Sequence, residues 1–258
     1  YYDDVREIPY LTKLKDLAAK NNMQSVLNYA ISNIARNYYT RCLKDSLLIC
    51  MAREEQLIAK SPYLFFQFKF YESRALLREN DFRSAFNVML EMRKKAEETN
   101  DKFGKFRMKC VTAAIYHSTT QYESATNVYK ELMESEFSTG TVRSQLFMYI
   151  VRAYLRLHAY DEAEAYLKQW AEELNKYGET DKKFPAKKFN WTRKSFLIDL
   201  YYRTNRENLA KAEMADLMKV HDYVPTTELL QELVPVCASI ELNNGNLAQA
   251  GKMINWLL

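Results

Sequence analysis

Histidine and cysteine are the side chains of this sequence that could ligate a metal or act as nucleophile and base. The three histidines, His117, His158 and His221, lie far apart and share no spacing typical of a metal site. The four cysteines have no CxxC spacing, and three of them fall in apolar helical stretches, where a thiol behaves as a small apolar group. Phosphate-binding loops and the common hydrolase motifs are also missing from the sequence. We therefore expect no enzyme, no metal and no cofactor.

Composition favours a helical protein that recognises other proteins. The five glycines and five prolines are few for 258 residues, and good helix formers are abundant. The net charge of +4 is small and spread along the chain, and the dense basic stretch at 182–194 is typical of a solvated loop or helix start. We expect no nucleic-acid partner. The sequence contains no apolar run long enough to span a membrane.

A recurring pattern predicts stacked helix pairs. A bulky residue lies three positions before an alanine and seven positions after another apolar residue, at intervals of 38 to 49 residues. The five occurrences are Phe82/Ala85, Tyr122/Ala125, Tyr160/Ala163, Leu209/Ala212 and Leu247/Ala250. Stacked pairs provide an extended surface, which favours binding over catalysis.

Helical periodicity places these pairs in residues 62–258. The predicted pairs are 63–79 with 82–98, 102–119 with 122–135, 141–158 with 160–176, 187–204 with 207–220, and 226–242 with 247–258. Because Gly178 and Pro185 interrupt the pattern, we expect an extended loop over 177–186. Residues 1–61 predict three helices, 8–21, 23–36 and 40–60, that cap the stack within the same continuous domain. The predicted fold class is all-α, an α–α superhelix of antiparallel helix pairs.

The pairs resemble the tetratricopeptide repeat family. That family places a small residue nine positions and an aromatic residue six positions before the turn residue, as at Ala113/Tyr116 and Val151/Tyr154. It also places apolar residues seven and ten positions after the turn residue. The matching residues here are Met89/Met92, Tyr129/Leu132, Leu167/Trp170 and Ile254/Leu257. The fourth pair departs from the pattern, so we expect it to be shifted by one residue, with Leu217 in the core. The interval exceeds the family's 34 residues, which predicts divergent repeats with longer helices.

The resemblance implies a concave ligand groove on the first helix of each pair, fifteen and eight positions before the turn residue. The candidate binding residues there, or one helical turn farther on, are Arg74, Arg107, His117, Arg152, Arg156, Lys194 and Tyr201. A row of cations attracts an acidic peptide or a carboxylate, which arginine binds through two parallel N–H groups. The alternative is that these cations pair with acidic groups of neighbouring helices or stay hydrated. We expect a protein or peptide partner, and a homodimer is left open.

The chain is also similar, more loosely, to the helical-repeat sensor regions of Bacteroides-type histidine kinases and related signalling proteins. The likeness lies in tyrosine-rich divergent repeats and charged turns. It implies a ligand-sensing region of a membrane-anchored histidine kinase or transcriptional regulator, on the periplasmic side of the inner membrane. Since the sequence starts without methionine and ends inside a helical pattern, we expect a piece of a longer protein. The alternative is a cytosolic scaffold or adaptor that mediates protein–protein interactions.

Overall fold

The structure, a computed structural model, describes residues 7–180, 185–217 and 227–255, and the side chains of these residues except those at 178–180, 227–232 and 253–255. The described residues form fourteen helices and, among themselves, no β-strand. The helices are α1 (Glu7–Lys20), α2 (Gln24–Thr40), α3 (Lys44–Arg53), α4 (Glu55–Lys60), α5 (Pro62–Arg78), α6 (Phe82–Thr99), α7 (Lys102–Ser118), α8 (Tyr122–Met133), α9 (Gly140–Arg156), α10 (Tyr160–Thr180), α11 (Ala186–Arg203), α12 (Glu207–Leu217), α13 (Thr227–Asn243) and α14 (Leu247–Asn255).

The helices belong to two compact units, Tyr1–Phe137 and Ser138–Leu258. In the first unit α2, α5 and α7 pack side by side, and α3, α6 and α8 are their respective hairpin partners. In the second unit α9, α11 and α13 pack side by side, with α10, α12 and α14 as partners. Antiparallel pairs thus follow one another in sequence order, as in an α–α superhelix, and the predicted fold class is confirmed. Among the described residues, no helix is both long and apolar enough to cross a bilayer.

One turn recurs seven times: it joins α1 to α2 and the two helices of each of the six pairs. At each turn one residue takes the left-handed conformation, and its N–H and that of the next residue donate to carbonyls of the helix just ended. In the turn at Thr120, for example, Thr120 N donates to His117 O at 3.2 Å and Gln121 N donates to Tyr116 O at 2.8 Å. This pattern is the Schellman motif, which satisfies carbonyls at a helix C-terminus. The seven left-handed residues are Asn22, Cys42, Asn80, Thr120, His158, Asn205 and Gly245.

The turn fixes which residue of the next helix enters the core. Each following helix begins two residues after the left-handed residue, and its fourth residue is buried in every case. These seven buried residues are Leu27, Leu47, Ala85, Ala125, Ala163, Ala210 and Ala250. Five of them are alanines because a small side chain lets the two helices approach closely.

The register predicted for the fourth pair is wrong. The turn lies at Asn205, so α12 begins at Glu207 and its buried alanine is Ala210, whereas Leu209 and Ala212 are both exposed. Leu217 does lie in the core, at 4% exposure, as expected. However, the turn residue of this pair is Glu207, so the pattern moves by two residues towards the N-terminus and not by one. In the corrected register Tyr201 takes the aromatic position that Tyr116 and Tyr154 hold in other pairs.

Two other predicted boundaries differ from the structure. The helix predicted over 40–60 begins only after the turn at Cys42 and is divided at Glu54 into α3 and α4, so residues 7–60 form four helices rather than three. The predicted loop over 177–186 is shorter, because α10 continues to Thr180 and α11 begins at Ala186. Residues 181–184, the end of the predicted helix 207–220, Thr226 and residues 256–258 lie outside the described residues.

Gly104 allows α7 to lie close to α5. A Cβ atom at this position would lie 2.3 Å from two ring atoms of Phe66, whose side chain is fully buried. No flexible end of a side chain is available there to move aside, because the contacted atoms belong to a ring held within the core. Glycine is therefore required at Gly104 by contact and not by backbone conformation.

The substitution Gly104→Ala should destabilise the protein by about 1–3 kcal/mol, because it overpacks the core at Phe66. The matched control is Gly251→Ala in α14, where a Cβ meets nothing within 4 Å. That control should leave stability unchanged or raise it by up to about 1 kcal/mol, since alanine favours helix more than glycine does. Urea unfolding measures both changes. Equal effects of the two substitutions would contradict the close approach of α5 and α7.

The corrected register of the fourth pair makes a second prediction about stability. Ala210→Leu should destabilise by about 1–3 kcal/mol because Ala210 is fully buried. Ala212→Leu places the same added volume on an exposed position two residues later and should change stability by less than about 0.5 kcal/mol. The reverse order in urea unfolding would restore the register that the sequence predicted.

Candidate functional site

Counting from the recurring turn reveals an arginine that the sequence pattern missed. Arg74 and Arg152 both lie eight residues before the first residue of their pair's second helix, Phe82 and Tyr160. Arg36 lies eight residues before Lys44, the first residue of α3, and therefore occupies the equivalent position on α2. The alanine-based pattern passed over this pair because Leu47 replaces the alanine.

The first unit brings together three arginines from its three adjacent first helices. Arg36, Arg74 and Arg107 lie on α2, α5 and α7, and each side chain is partly buried. We call the surface formed by these arginines, Gln67 and the aromatic residues Tyr63, Phe70 and Phe103 the arginine–aromatic face. Of its members, only Arg74 and Arg107 were predicted as binding residues.

Arg107 is held between aromatic rings. Its guanidinium carbon lies 4.7 Å from the ring centre of Phe70 on α5 and 5.1 Å from that of Phe103 on its own helix. Tyr63 stacks on Phe103, and the two ring centres are 5.3 Å apart. Cation–π attraction of this kind stabilises a partly desolvated guanidinium and restricts its orientation. The rings thus hold the charge in place without neutralising it.

Two polar atoms of the arginine–aromatic face are buried without a hydrogen-bond partner. They are Arg107 Nε, a donor, and Gln67 Oε1, an acceptor. The amide nitrogen of Gln67 donates to Tyr63 Oη at 3.2 Å, so the carbonyl end of the same side chain is the one left over. Nor does any carboxylate among the described residues form an ion pair with Arg107. Buried polar groups are nearly always satisfied, so this pair suggests a place for a ligand.

The electrostatic effects on two neighbouring side chains show that the three arginines act on one region. Burial raises the pKa of the Cys110 thiol to about 11, and the positive charges of Arg107 and Arg74 oppose that rise. Burial likewise raises the pKa of Tyr71, against the charges of Arg107 and Arg36. Arg36 and Arg74 each have interactions of their own. Arg107, by contrast, forms no ion pair with any carboxylate in the part of the chain that the structure describes.

His117, the third candidate in the first unit, lies elsewhere. Its ring packs edge-on against Tyr122 and Tyr129 of α8, with ring centres 5.3 and 6.2 Å away. Tyr129 is buried between the two helices of the pair. His117 therefore belongs to the packing of α7 on α8 and is not grouped with Arg107.

In the second unit the predicted candidates do not form one cluster. Arg152 on α9 lies over the Phe196 ring of α11 at 5.7 Å, and Arg156 is exposed in the last turn of α9. The Lys194 ammonium pairs with Asp216 and lies 4.0 Å from Glu213, both on α12. Tyr201 packs under the Arg206 guanidinium at 4.7 Å.

The corrected register explains why Lys194 and Tyr201 differ from the other candidates. The residues equivalent to Arg107 and Arg74 in this pair are Thr192, which is buried, and Asp199, which pairs with Arg203 at 2.7 Å. Lys194 and Tyr201 were assigned to those positions only because Leu209 was taken as the turn residue. Arg74, Arg107 and Arg152 therefore keep the repeat positions predicted for them, Lys194 loses its position, and Arg36 is added in the first unit.

The pattern of thiol burial predicts which cysteine reacts first. Cys42 is exposed at its turn, whereas burial raises the pKa of Cys50 and Cys110 to about 11 and that of Cys237 to about 12. At pH 8 a thiol with such a pKa is about one thousandth thiolate or less, and the thiolate is the form that reacts. We expect one fast thiol in the native protein with a disulfide reagent, and none in Cys42→Ser. Two or more fast thiols would contradict the shielding of Cys50, Cys110 and Cys237.

Comparison with known proteins adds no assignment. The sequence matches no protein-family model, and no curated protein is significantly similar to it. Within the described residues there is also no group of three side chains suited to hold a metal ion. The function must therefore be argued from the geometry of the helix pairs and of the arginine–aromatic face.

Proposed function

We propose that the first unit binds an acidic peptide segment of a partner protein on its arginine–aromatic face. The observation that carries this proposal is Arg107, whose guanidinium is held by two rings and has no carboxylate partner among the described residues. A carboxylate of the partner would accept hydrogen bonds from Arg107, and charge-assisted bonds of this kind contribute about 1.5–3 kcal/mol each.

The desolvation of Arg107 favours such a ligand. Its Nε is already buried, so the unbound protein leaves a donor unsatisfied, which costs about 1–3 kcal/mol. A ligand oxygen that reaches Nε removes this cost. Because the guanidinium is oriented in advance by Phe70 and Phe103, less side-chain freedom is lost on binding than for an exposed arginine.

Gln67 favours a peptide over a free carboxylate. Its unpartnered Oε1 accepts a hydrogen bond, so it suits a backbone N–H of the ligand, which a simple carboxylic acid lacks. Tyr63, Phe70 and Phe103 add aromatic surface on which apolar parts of a peptide would pack. An acidic side chain and a neighbouring peptide group together meet both unsatisfied atoms.

We further propose that the chain is a divergent tetratricopeptide-like module that senses its ligand for a bacterial membrane-anchored signalling protein, on the periplasmic side. The support for this setting is the resemblance of the tyrosine-rich helix pairs and their charged turns, together with the stacked pairs of each unit. The binding proposal does not depend on the setting, since it rests on Arg107 and Gln67 alone.

Binding of labelled peptides tests the proposal. The probes are a peptide library rich in Asp and Glu and the same library with Asn and Gln in their place, measured by fluorescence anisotropy. We expect the acidic library to bind more tightly, and Arg107→Gln to weaken its binding at least about tenfold through the loss of the charge-assisted bonds.

The matched control is Arg93→Gln, which removes the same charge from an exposed position on α6, where Arg93 pairs with Glu97. It should change the affinity less than about twofold. Equal binding of the two libraries, or an equal effect of the two substitutions, would overturn the proposal.

A further inference from the structure

A cleft lies in the first unit between α3 and α6, the second helices of neighbouring pairs. We call it the outer cleft. Its volume is about 390 Å³, at the lower end of the range for ligand sites, about 300–1,000 Å³. It exists because α3 packs only lightly on α5, whereas α6 packs extensively on α5 and α7. The surface of α5 between α3 and α6 is therefore not covered by another helix and forms the floor of the cleft.

The floor of this outer cleft is apolar. Leu47 of α3, Leu76 of α5 and Val88 of α6 line it and are each at most 8% exposed, while Leu48 stands at the rim at 38% exposure. Asn87 and Glu91, also lining residues, are exposed, so the cleft is open along α6. An open trough with an apolar floor accommodates one or two side chains of a protein segment and does not enclose a whole small molecule.

The two sides of the outer cleft differ in charge. At one side Lys69 is shared by two carboxylates, Glu72 at 3.0 Å and Glu91 at 2.7 Å, so this side carries an excess negative charge. Glu72 Oε2 is buried and, although close to Lys69, it receives no well-aligned hydrogen bond. Towards the other side Lys44 also lines the cleft and is neutralised by Glu79. An additional cation would therefore be attracted to Glu72 and Glu91.

We propose that the outer cleft binds a basic, amphipathic segment of a partner protein, with a large apolar side chain on the Leu47–Leu76–Val88 floor and an arginine or lysine between Glu72 and Glu91. The apolar floor provides affinity through burial, and the carboxylates select the charge. This site is separate from the arginine–aromatic face and has the opposite charge preference. The protein would thus hold two partners, or two segments of one partner, with acidic and basic sequences.

Charge reversal at two positions of one helix tests this inference. The probe is a labelled helical peptide with Leu and Arg on one face, compared with the same peptide carrying Glu for Arg or Ala for Leu. We expect only the Leu–Arg peptide to bind, and Glu91→Lys to weaken it about tenfold or more. Glu97→Lys makes the same charge change on an exposed residue of α6 outside the lining and should have less than about a twofold effect.

Two further measurements keep the test decisive. Leu48→Ala, at the exposed rim, should also weaken binding several-fold, and Arg107→Gln should leave binding of the Leu–Arg peptide unchanged. Equal effects of Glu91→Lys and Glu97→Lys, or equal binding of the Glu-containing peptide, would overturn the inference. So would a dimer that dissociates in Glu91→Lys, because the occupant would then be a second copy of the chain.

Discussion

The recurring turn is the constraint on which the rest of the structure depends. A helix end leaves four carbonyls without partners, and here the left-handed residue and its successor return two N–H groups to them. The chain therefore reverses in a single way, and the next helix always begins two residues later. Because the reversal is so short, the two helices of a pair lie close together, and the fourth residue of the second helix is buried.

The repeated geometry also determines where polar side chains lie. Positions at a constant distance before the turn lie on the same face of the first helix of a pair, so Arg36 and Arg74 are equivalent and lie on helices that pack side by side. Polar side chains at these positions are partly or fully buried, so the groups packed against them decide their environment. Arg107 meets the Phe70 ring of α5, whereas Asp199 pairs with Arg203 of its own helix.

These differences in environment separate the proposed binding residue Arg107 from cations that have structural partners. Lys194, Arg206 and Arg203 each have a carboxylate partner, so their charges are already balanced. Arg107 lies against two aromatic rings and pairs with no carboxylate among the described residues, and aromatic rings stabilise a cation without cancelling its charge. The two proposed sites of the first unit follow from the same consideration. The positive charge of Arg107 is not balanced by a carboxylate of the described residues, and the two negative charges of Glu72 and Glu91 share the single positive charge of Lys69.

The sequence by itself determined the all-α class, nearly all helix positions and the presence of arginines at repeat positions. Helical periodicity and turn residues are local properties, so the chain carries them without reference to the fold. The tertiary structure decided the register at Asn205, the turn at Cys42 and the partners of each arginine. A left-handed residue other than glycine has no unique sequence sign, and whether an arginine meets a ring or a carboxylate depends on a helix distant in sequence.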